Sequence, residues 1–97
     1  MGKSLIPADV RDFPVYFVGI KGTGMAAMAE LFQSRGARVS GSDTHERFYT
    51  DEVLTRLGIP FAEGFDASNV PEDALLVIYS AAYDPSSHPE LVEASRL

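Results

Sequence analysis

No cysteine occurs among the 97 residues. This excludes disulfides, thiolate metal sites and a cysteine nucleophile, and it leaves no mark of an oxidising compartment. Basic residues are scarce: 8 Lys and Arg stand against 14 Asp and Glu, a net charge of −6. A nucleic-acid binder needs a cationic surface to displace counterions from phosphates. This chain as a whole repels nucleic-acid backbones and anionic lipid. Long apolar runs are missing too. The longest, Val15 to Ile20 and Ala74 to Tyr79, are about six residues each, against roughly 20 for a membrane span. The start, Met1-Gly2-Lys3-Ser4, leads to Pro7, Asp9 and Asp12 rather than to an apolar signal core. Ile6 stands where a myristoylation signal wants Ser or Thr. We therefore expect a cytoplasmic protein with no nucleic-acid and no membrane partner.

What is present suits one globular domain: 45% hydrophobic and 23% charged residues, in a length that supports one core but not two. No repeat, low-complexity stretch or linker divides it. Residues 1–14, punctuated by Pro7 and Pro14, read as an N-terminal arm before a domain over 15–97. Val15-Tyr16-Phe17-Val18 reads as a strand buried on both faces. Beyond the glycines that follow, Met25, Met28, Ala29 and Phe32 share one helical stripe, with Arg35 in the last turn and Gly36 as the stop. Ala37–Ser40 reads as a second strand ending at Gly41-Ser42-Asp43. Thr50 is placed to cap a second helix, with Asp51 and Glu52 in its first turn and Gly58 as its stop. Pro60–Glu63 reads as a weaker strand, Asp66–Asp73 as a polar connection with room for a helical turn, and Leu75–Tyr79 as the strongest strand. Ser87 and Glu90 have capping-box spacing for a third helix, with Pro89 in its first turn.

Strands alternating with helices across short connections mean a parallel sheet with right-handed crossovers. The expected fold is a Rossmann-like, three-layer α/β domain with a mostly parallel sheet of four or more strands. A last helix that runs uncapped to Leu97 normally feeds another strand, so we expect a domain of a longer protein, short of its last strand.

Between the first strand and the first helix lies Gly19-Ile20-Lys21-Gly22-Thr23-Gly24. The first N–H groups of a helix have no partners within it, and the helix dipole makes that end positive. Glycine lets an anion approach the backbone. Gly19 and Gly24 have the outer spacing of the G-x-G-x-x-G fingerprint, but Lys21 stands at its centre and Gly22 is additional. No acid occurs from Phe13 to Ala29, and Lys21 is the only base there. Its ammonium can face a phosphate or solvent. A P-loop reading fails, because Lys21-Gly22-Thr23 is not Gly-Lys-Ser/Thr and no lysine follows. Asp43 lies 19 residues past Gly24, near the spacing at which an acid receives ribose hydroxyls. The alternative for Asp43 is a turn aspartate. Ser80 follows the fourth strand, where open α/β sheets place ligands, or it bonds its own backbone. His45 and His88 read as solvated, and Phe48, Tyr49, Tyr79 and Tyr83 as core or rim. Gly24→Val is expected to block a ligand by bulk and to distort the turn.

The combination of Val15–Met25 (VYFVGIKGTGM), Val39–Asp43 (VSGSD), Ile78–Ala82 (IYSAA) and Pro89-Glu90 resembles the N-terminal domain of the Mur ligases. That family typically shows Gly-Ile-Gly-Gly-x-Gly-Met, Ser-Gly-Ser-Asp, Ser-Ser-Ala and Asn-Pro-Glu, and the likeness runs over about residues 15–93. It is strongest to the branch that joins L-alanine to UDP-N-acetylmuramate in peptidoglycan precursor synthesis. The resemblance implies a Rossmann-like domain that holds the UDP part of the substrate. Gly19 and Lys21 would belong to the loop, and Gly22, Thr23, Gly24 and Met25 would offer N–H groups to the pyrophosphate. Ser42 and Asp43 would face the uridine, with Ser80 and Ala81 closing the other wall. The family's reaction uses ATP and Mg²⁺ to form an acyl phosphate that the amine of L-alanine attacks. The domains for those steps are not in this stretch, so by itself it should be inactive, with no catalytic or metal residue of its own. Lys21 replaces a family glycine, Phe65 a histidine common after Gly64, and Ser87-His88 precede Pro89 where the family has Asn. Gly64–Ser68 (GFDAS) is similar to the relative that recycles whole murein peptides. A nucleotide-sensing, NAD-binding regulatory domain and a nicotinamide-dependent oxidoreductase lacking its catalytic domain are the readings from other classes.

Overall fold

β1 (Pro14–Val18) carries the logic of the fold. Its side chains alternate across the sheet, as strand geometry dictates. Val15 and Phe17 enter one core with Ala26, Ala29, Phe32, Val39 and Leu54. Tyr16 and Val18 enter a second core with Val70 and Leu91. A strand covered on both faces needs helices on both sides. In this computed structural model, which describes residues 9–97, the order is β1, α1 (Thr23–Ser34), β2 (Arg38–Asp43), α2 (Tyr49–Leu57), β3 (Phe61–Glu63), a 3-10 turn (Ala67–Asn69), β4 (Leu76–Tyr79) and α3 (Pro89–Arg96). The four strands stand in the order β3-β2-β1-β4. Every pair is parallel, the three-layer α/β architecture anticipated from the alternation of elements. Of the arm expected over 1–14, residues 1–8 lie outside the described residues. Val10 is buried in the first core, and the Asp12 N–H donates to the Gly36 carbonyl.

Several boundaries move for physical reasons. β2 does not stop at Ser40 but runs to Asp43, because β1 and β3 both pair with its last residues. Gly41 permits this: a Cβ there would lie 2.5 Å from the Phe17 carbonyl oxygen and 2.8 Å from Ile20 Cδ1. α2 starts at Tyr49, not after a Thr50 cap. The Asp51 carboxylate accepts from the Phe48 N–H at 2.9 Å, and the Thr50 hydroxyl is occupied elsewhere. α3 is capped by His88 rather than Ser87: imidazole Nδ1 accepts from the Glu90 N–H at 3.2 Å. That frees the Glu90 side chain from a capping box. Glu90 is fully buried, and its carboxylate accepts from the Tyr16 and Ser42 hydroxyls, the Asp66 N–H and the Asn69 amide. It thereby ties α3 to β1, β2 and the 3-10 turn. Burial above all, together with the Glu90 charge, pushes the Tyr16 phenol well above its ordinary range.

Candidate functional site

A parallel sheet ends all its strands on one edge, so β1, β2 and β4 deliver their carboxyl ends to one place. There a cleft of about 650 Å³ opens in front of α1. Its floor is the glycine loop. Gly19 has φ +84°, and a Cβ on it would lie 2.8 Å from Tyr83 Cε2; both facts call for glycine. The Gly19 and Ile20 N–H groups donate to the Ser42 carbonyl at 2.8 and 3.0 Å, which ties the loop to β2. α1 begins at Thr23 with no side-chain cap and no acid in its first turn. Its first N–H groups are left for an anion or water. Gly24 is in an ordinary helical region, with nothing within 4 Å of a Cβ built on it. A side chain at 24 would project into open space beside the cleft without distorting the turn.

Of the residues singled out in the sequence, Gly19, Lys21, Gly22, Thr23, Gly24, Met25, Asp43 and Ser80 all line this cleft. Ser42 and Ala81 do not. Ser42 is wholly buried, its hydroxyl donating to Glu90 on the far side of the sheet. Strand alternation places Ser42 and Asp43 on opposite faces. Ala81 is exposed in the turn after β4, while its neighbours Ser80 and Ala82 reach the wall. Ser80 Oγ accepts from the Ala82 N–H at 3.1 Å, which leaves its proton available to a ligand.

Asp43 acts as the turn aspartate and at the same time lines the cleft. It is 6% exposed, and its two oxygens accept from the Lys21 N–H at 2.8 Å and the Thr44 N–H at 2.7 Å. Each oxygen has a second lone pair. A carboxylate on the wall repels phosphate and attracts hydroxyls or amides. The cleft is thus polarised, with unpaired N–H groups at the helix start and an anionic acceptor at the end of β2.

Lys21 goes in neither direction expected of it. Its side chain is 0% exposed and its ammonium points into the protein. Nζ donates to the carbonyls of Thr44 (3.0 Å) and Glu46 (2.8 Å) and to Glu63 (2.8 Å). Asp51 is 3.0 Å away and the Phe61 ring centroid 5.4 Å. Burial pulls the Lys21 pKa down, but Glu63 and Asp51 outweigh it and hold the pKa above the usual value. Burial likewise opposes ionisation of Asp51, yet the Phe48 N–H and Lys21 hold it below the usual carboxylate value. The positive charge near the loop is cancelled internally. Any phosphate affinity must come from the backbone and the helix end.

Met28 and Ala82 line the cleft without having been singled out as site residues, and Phe48, Tyr49 and Tyr83 line it too, at the rim position the sequence allowed them. Phe48 and Tyr49 are 43% and 68% exposed and put apolar surface on the rim. Tyr83 is in edge contact with Phe65 and with His88, and burial above all raises its phenol pKa. His88 is half-buried in that aromatic cluster rather than solvated. The one lysine of the loop is consumed by carboxylates, and no group of three or more His, Cys, Asp or Glu among the described residues is placed to hold a metal. No helix among the described residues is long and apolar enough to cross a membrane.

Comparison with known proteins matches nearly the whole chain. The family model described as "Mur ligase family, catalytic domain" matches residues 14–97. The UDP-N-acetylmuramate–L-alanine ligase of Treponema pallidum (strain Nichols) is 49% identical over 96 residues, 99% of this chain and 20% of that protein. The enzyme of the same name from Desulfitobacterium hafniense (strain Y51) is 49% identical over 84 residues, 86% of this chain and 18% of that one. Among solved structures, the UDP-N-acetylmuramate-alanine ligase of Thermotoga maritima superposes with a TM-score of 0.77 at 36% identity, over 86% of this chain and 19% of its own. The UDP-N-acetylmuramate:L-alanyl-gamma-D-glutamyl-meso-diaminopimelate ligase of Neisseria meningitides does so with 0.69 at 31%, over 82% and 24%. The chain spans about one fifth of the length of the curated relatives it matches. With the parallel sheet, the glycine loop and nearly the whole length matched together, this chain belongs to the Mur ligase family.

Proposed function

We propose that the cleft at the start of α1 binds the UDP portion of UDP-N-acetylmuramate. In the complete enzyme this would hold the substrate for ATP-dependent condensation with L-alanine. The observation that carries the reading is the polarity of the cleft: uncapped N–H groups at the helix start on one side and buried Asp43 on the other. A diphosphate suits the first and ribose or base donors the second. Phe48 and Tyr49 offer apolar surface to the rest of the nucleotide. Binding energy gathered on this handle, remote from the reacting carboxylate, orients that carboxylate for attack. ATP and Mg²⁺ belong to the remainder of an enzyme that is about five times longer in its relatives, and the 97-residue chain alone makes no amide bond. A cytoplasmic location follows from the substrates. The alanine-adding reading is preferred to the murein-peptide one because the 49% identical relatives carry the former name.

The test is titration of the isotope-labelled chain with UDP, UDP-N-acetylmuramate and NADH. The uridine nucleotides are expected to shift the amides of Gly22 to Met25 and of Asp43. Binding of NADH without binding of UDP-N-acetylmuramate would replace the ligase reading with the nucleotide-sensor one.

A further inference from the structure

Residue 21 is held at each of its polar groups. Its N–H donates to Asp43, its carbonyl accepts from the Thr50 hydroxyl at 2.6 Å, and its ammonium sits among Thr44, Glu46, Asp51 and Glu63. The three ammonium protons are matched by the two carbonyls and Glu63, and Asp51 stands 3.0 Å away as a second carboxylate. None of these six partners is in the glycine loop. Thr44 and Glu46 lie in the connection between β2 and α2, Asp51 in the first turn of α2 and Glu63 at the end of β3.

Apart from Lys21, that connection is held at its two ends, by the Asp43 carboxylate on the Thr44 N–H at 2.7 Å and by the Asp51 carboxylate on the Phe48 N–H at 2.9 Å. Residues 44–49 are all exposed, so burial does not pin them. The Glu46 N–H reaches the Thr44 hydroxyl at only 3.3 Å, and the Tyr49 hydroxyl reaches Thr23 at the same distance. Yet this segment carries Phe48 and Tyr49, which form the apolar wall of the cleft opposite Ser80. A wall of exposed aromatic residues serves recognition only if its backbone is fixed beforehand. Lys21 grips that backbone from below at two carbonyls, while its own N–H and carbonyl are part of the cleft floor. One residue therefore couples floor to wall.

We propose that Lys21 is a positioning residue of this cleft: through the carbonyls of Thr44 and Glu46 its ammonium sets the Phe48–Tyr49 wall against which the nucleotide packs. The inference rests on the nucleotide-binding reading above. Lys21 stands at the centre of the G-x-G-x-x-G spacing, so the loop forgoes a small residue there while the wall acquires an internal anchor. The ammonium does not touch the ligand.

The experiment is a double-mutant cycle read by UDP titration of the labelled chain, with far-UV circular dichroism as a check of folding. Lys21→Met is expected to weaken UDP about tenfold, a loss of about 1.4 kcal/mol, and to shift the amides of Thr44 to Tyr49 in the free protein. In a Phe48→Ala/Tyr49→Ala background the same substitution should change affinity less than about twofold, because the wall through which it acts is gone. An equal loss in both backgrounds, or none in either, overturns the positioning role. If Lys21→Met does not fold, Lys21→Arg takes its place with the same expectation, since its planar fork keeps the charge but cannot reproduce the contacts of a single nitrogen. If the unmodified chain takes up no UDP, the nucleotide reading itself fails. The Lys21 inference is then decided by the free protein alone, and unchanged amides over Thr44 to Tyr49 would refute it.

Discussion

Glu90→Ala and Glu90→Gln remove the same carboxylate, but the structure assigns them very different costs. Glu90 is fully buried, and its acceptors are divided by kind. Oε1 receives the Tyr16 and Ser42 hydroxyls. Oε2 receives the Asp66 N–H and the Asn69 amide. Alanine would leave all of these donors without an acceptor. At about 1–3 kcal/mol for each buried group left unpaired, and allowing the hydroxyls to turn toward other acceptors, the loss is about 4–6 kcal/mol. That is most of the roughly 5–15 kcal/mol that holds a domain together. Glutamine keeps the volume. Its oxygen can stay with the two N–H donors, which cannot accept, and its NH₂ can face the two hydroxyls, which can. Removing an uncompensated buried charge offsets part of what is lost. We expect about 1–2 kcal/mol, or a fall in Tm of roughly 4–16 °C. Urea unfolding followed by far-UV circular dichroism measures both variants. If alanine costs less than about 1.5 kcal/mol, or if glutamine costs as much as alanine, the division of donors does not govern this site.

Gly24→Ala is expected to move stability and binding in opposite senses. It should stabilise the helix by about 0.5 kcal/mol, since Ala is the better helix former, while UDP affinity falls because the new methyl projects beside the cleft; Tm and titration read the two. Gly19→Ala should cost about 1–3 kcal/mol in urea unfolding, because it combines a positive φ with the Tyr83 contact. Asp43→Ala should weaken UDP by about 1–3 kcal/mol and, contrary to a purely ligand-facing role, also lower Tm, since the Lys21 and Thr44 N–H groups lose their acceptor. For pH, the lowered pKa of Asp51 means its contribution is present above 3.8 and lost as pH falls through the folded-state value. The raised pKa of Lys21 means its contribution is present below 10.5 and lost as pH rises through its folded-state value. Asp51→Asn should therefore flatten the acid limb of a stability–pH profile measured by urea unfolding.

The alternation of elements, the parallel sheet and the place of the cleft were legible in the amino-acid sequence because each rests on local chemistry. Val15 to Val18 are apolar on both faces, Met25 to Phe32 repeat at helical spacing, and Gly19 to Gly24 interrupt them where a strand must turn into a helix. These patterns need no knowledge of distant residues. The partners of Lys21, Ser42 and Glu90 were not legible, because they lie 21 to 74 positions away in sequence. Whether a lysine in a glycine loop faces a phosphate, water or a pair of carboxylates depends on where α2 and β3 arrive. Whether Ser42 or Asp43 meets the cleft depends on the register that puts one on each face of β2. Local sequence determines which segments are strand, turn and helix, since backbone sterics and side-chain periodicity act over a few residues. Tertiary packing decides which polar group faces the ligand and which is consumed inside, since a buried donor or charge must take whatever partner the assembled fold brings within about 3 Å.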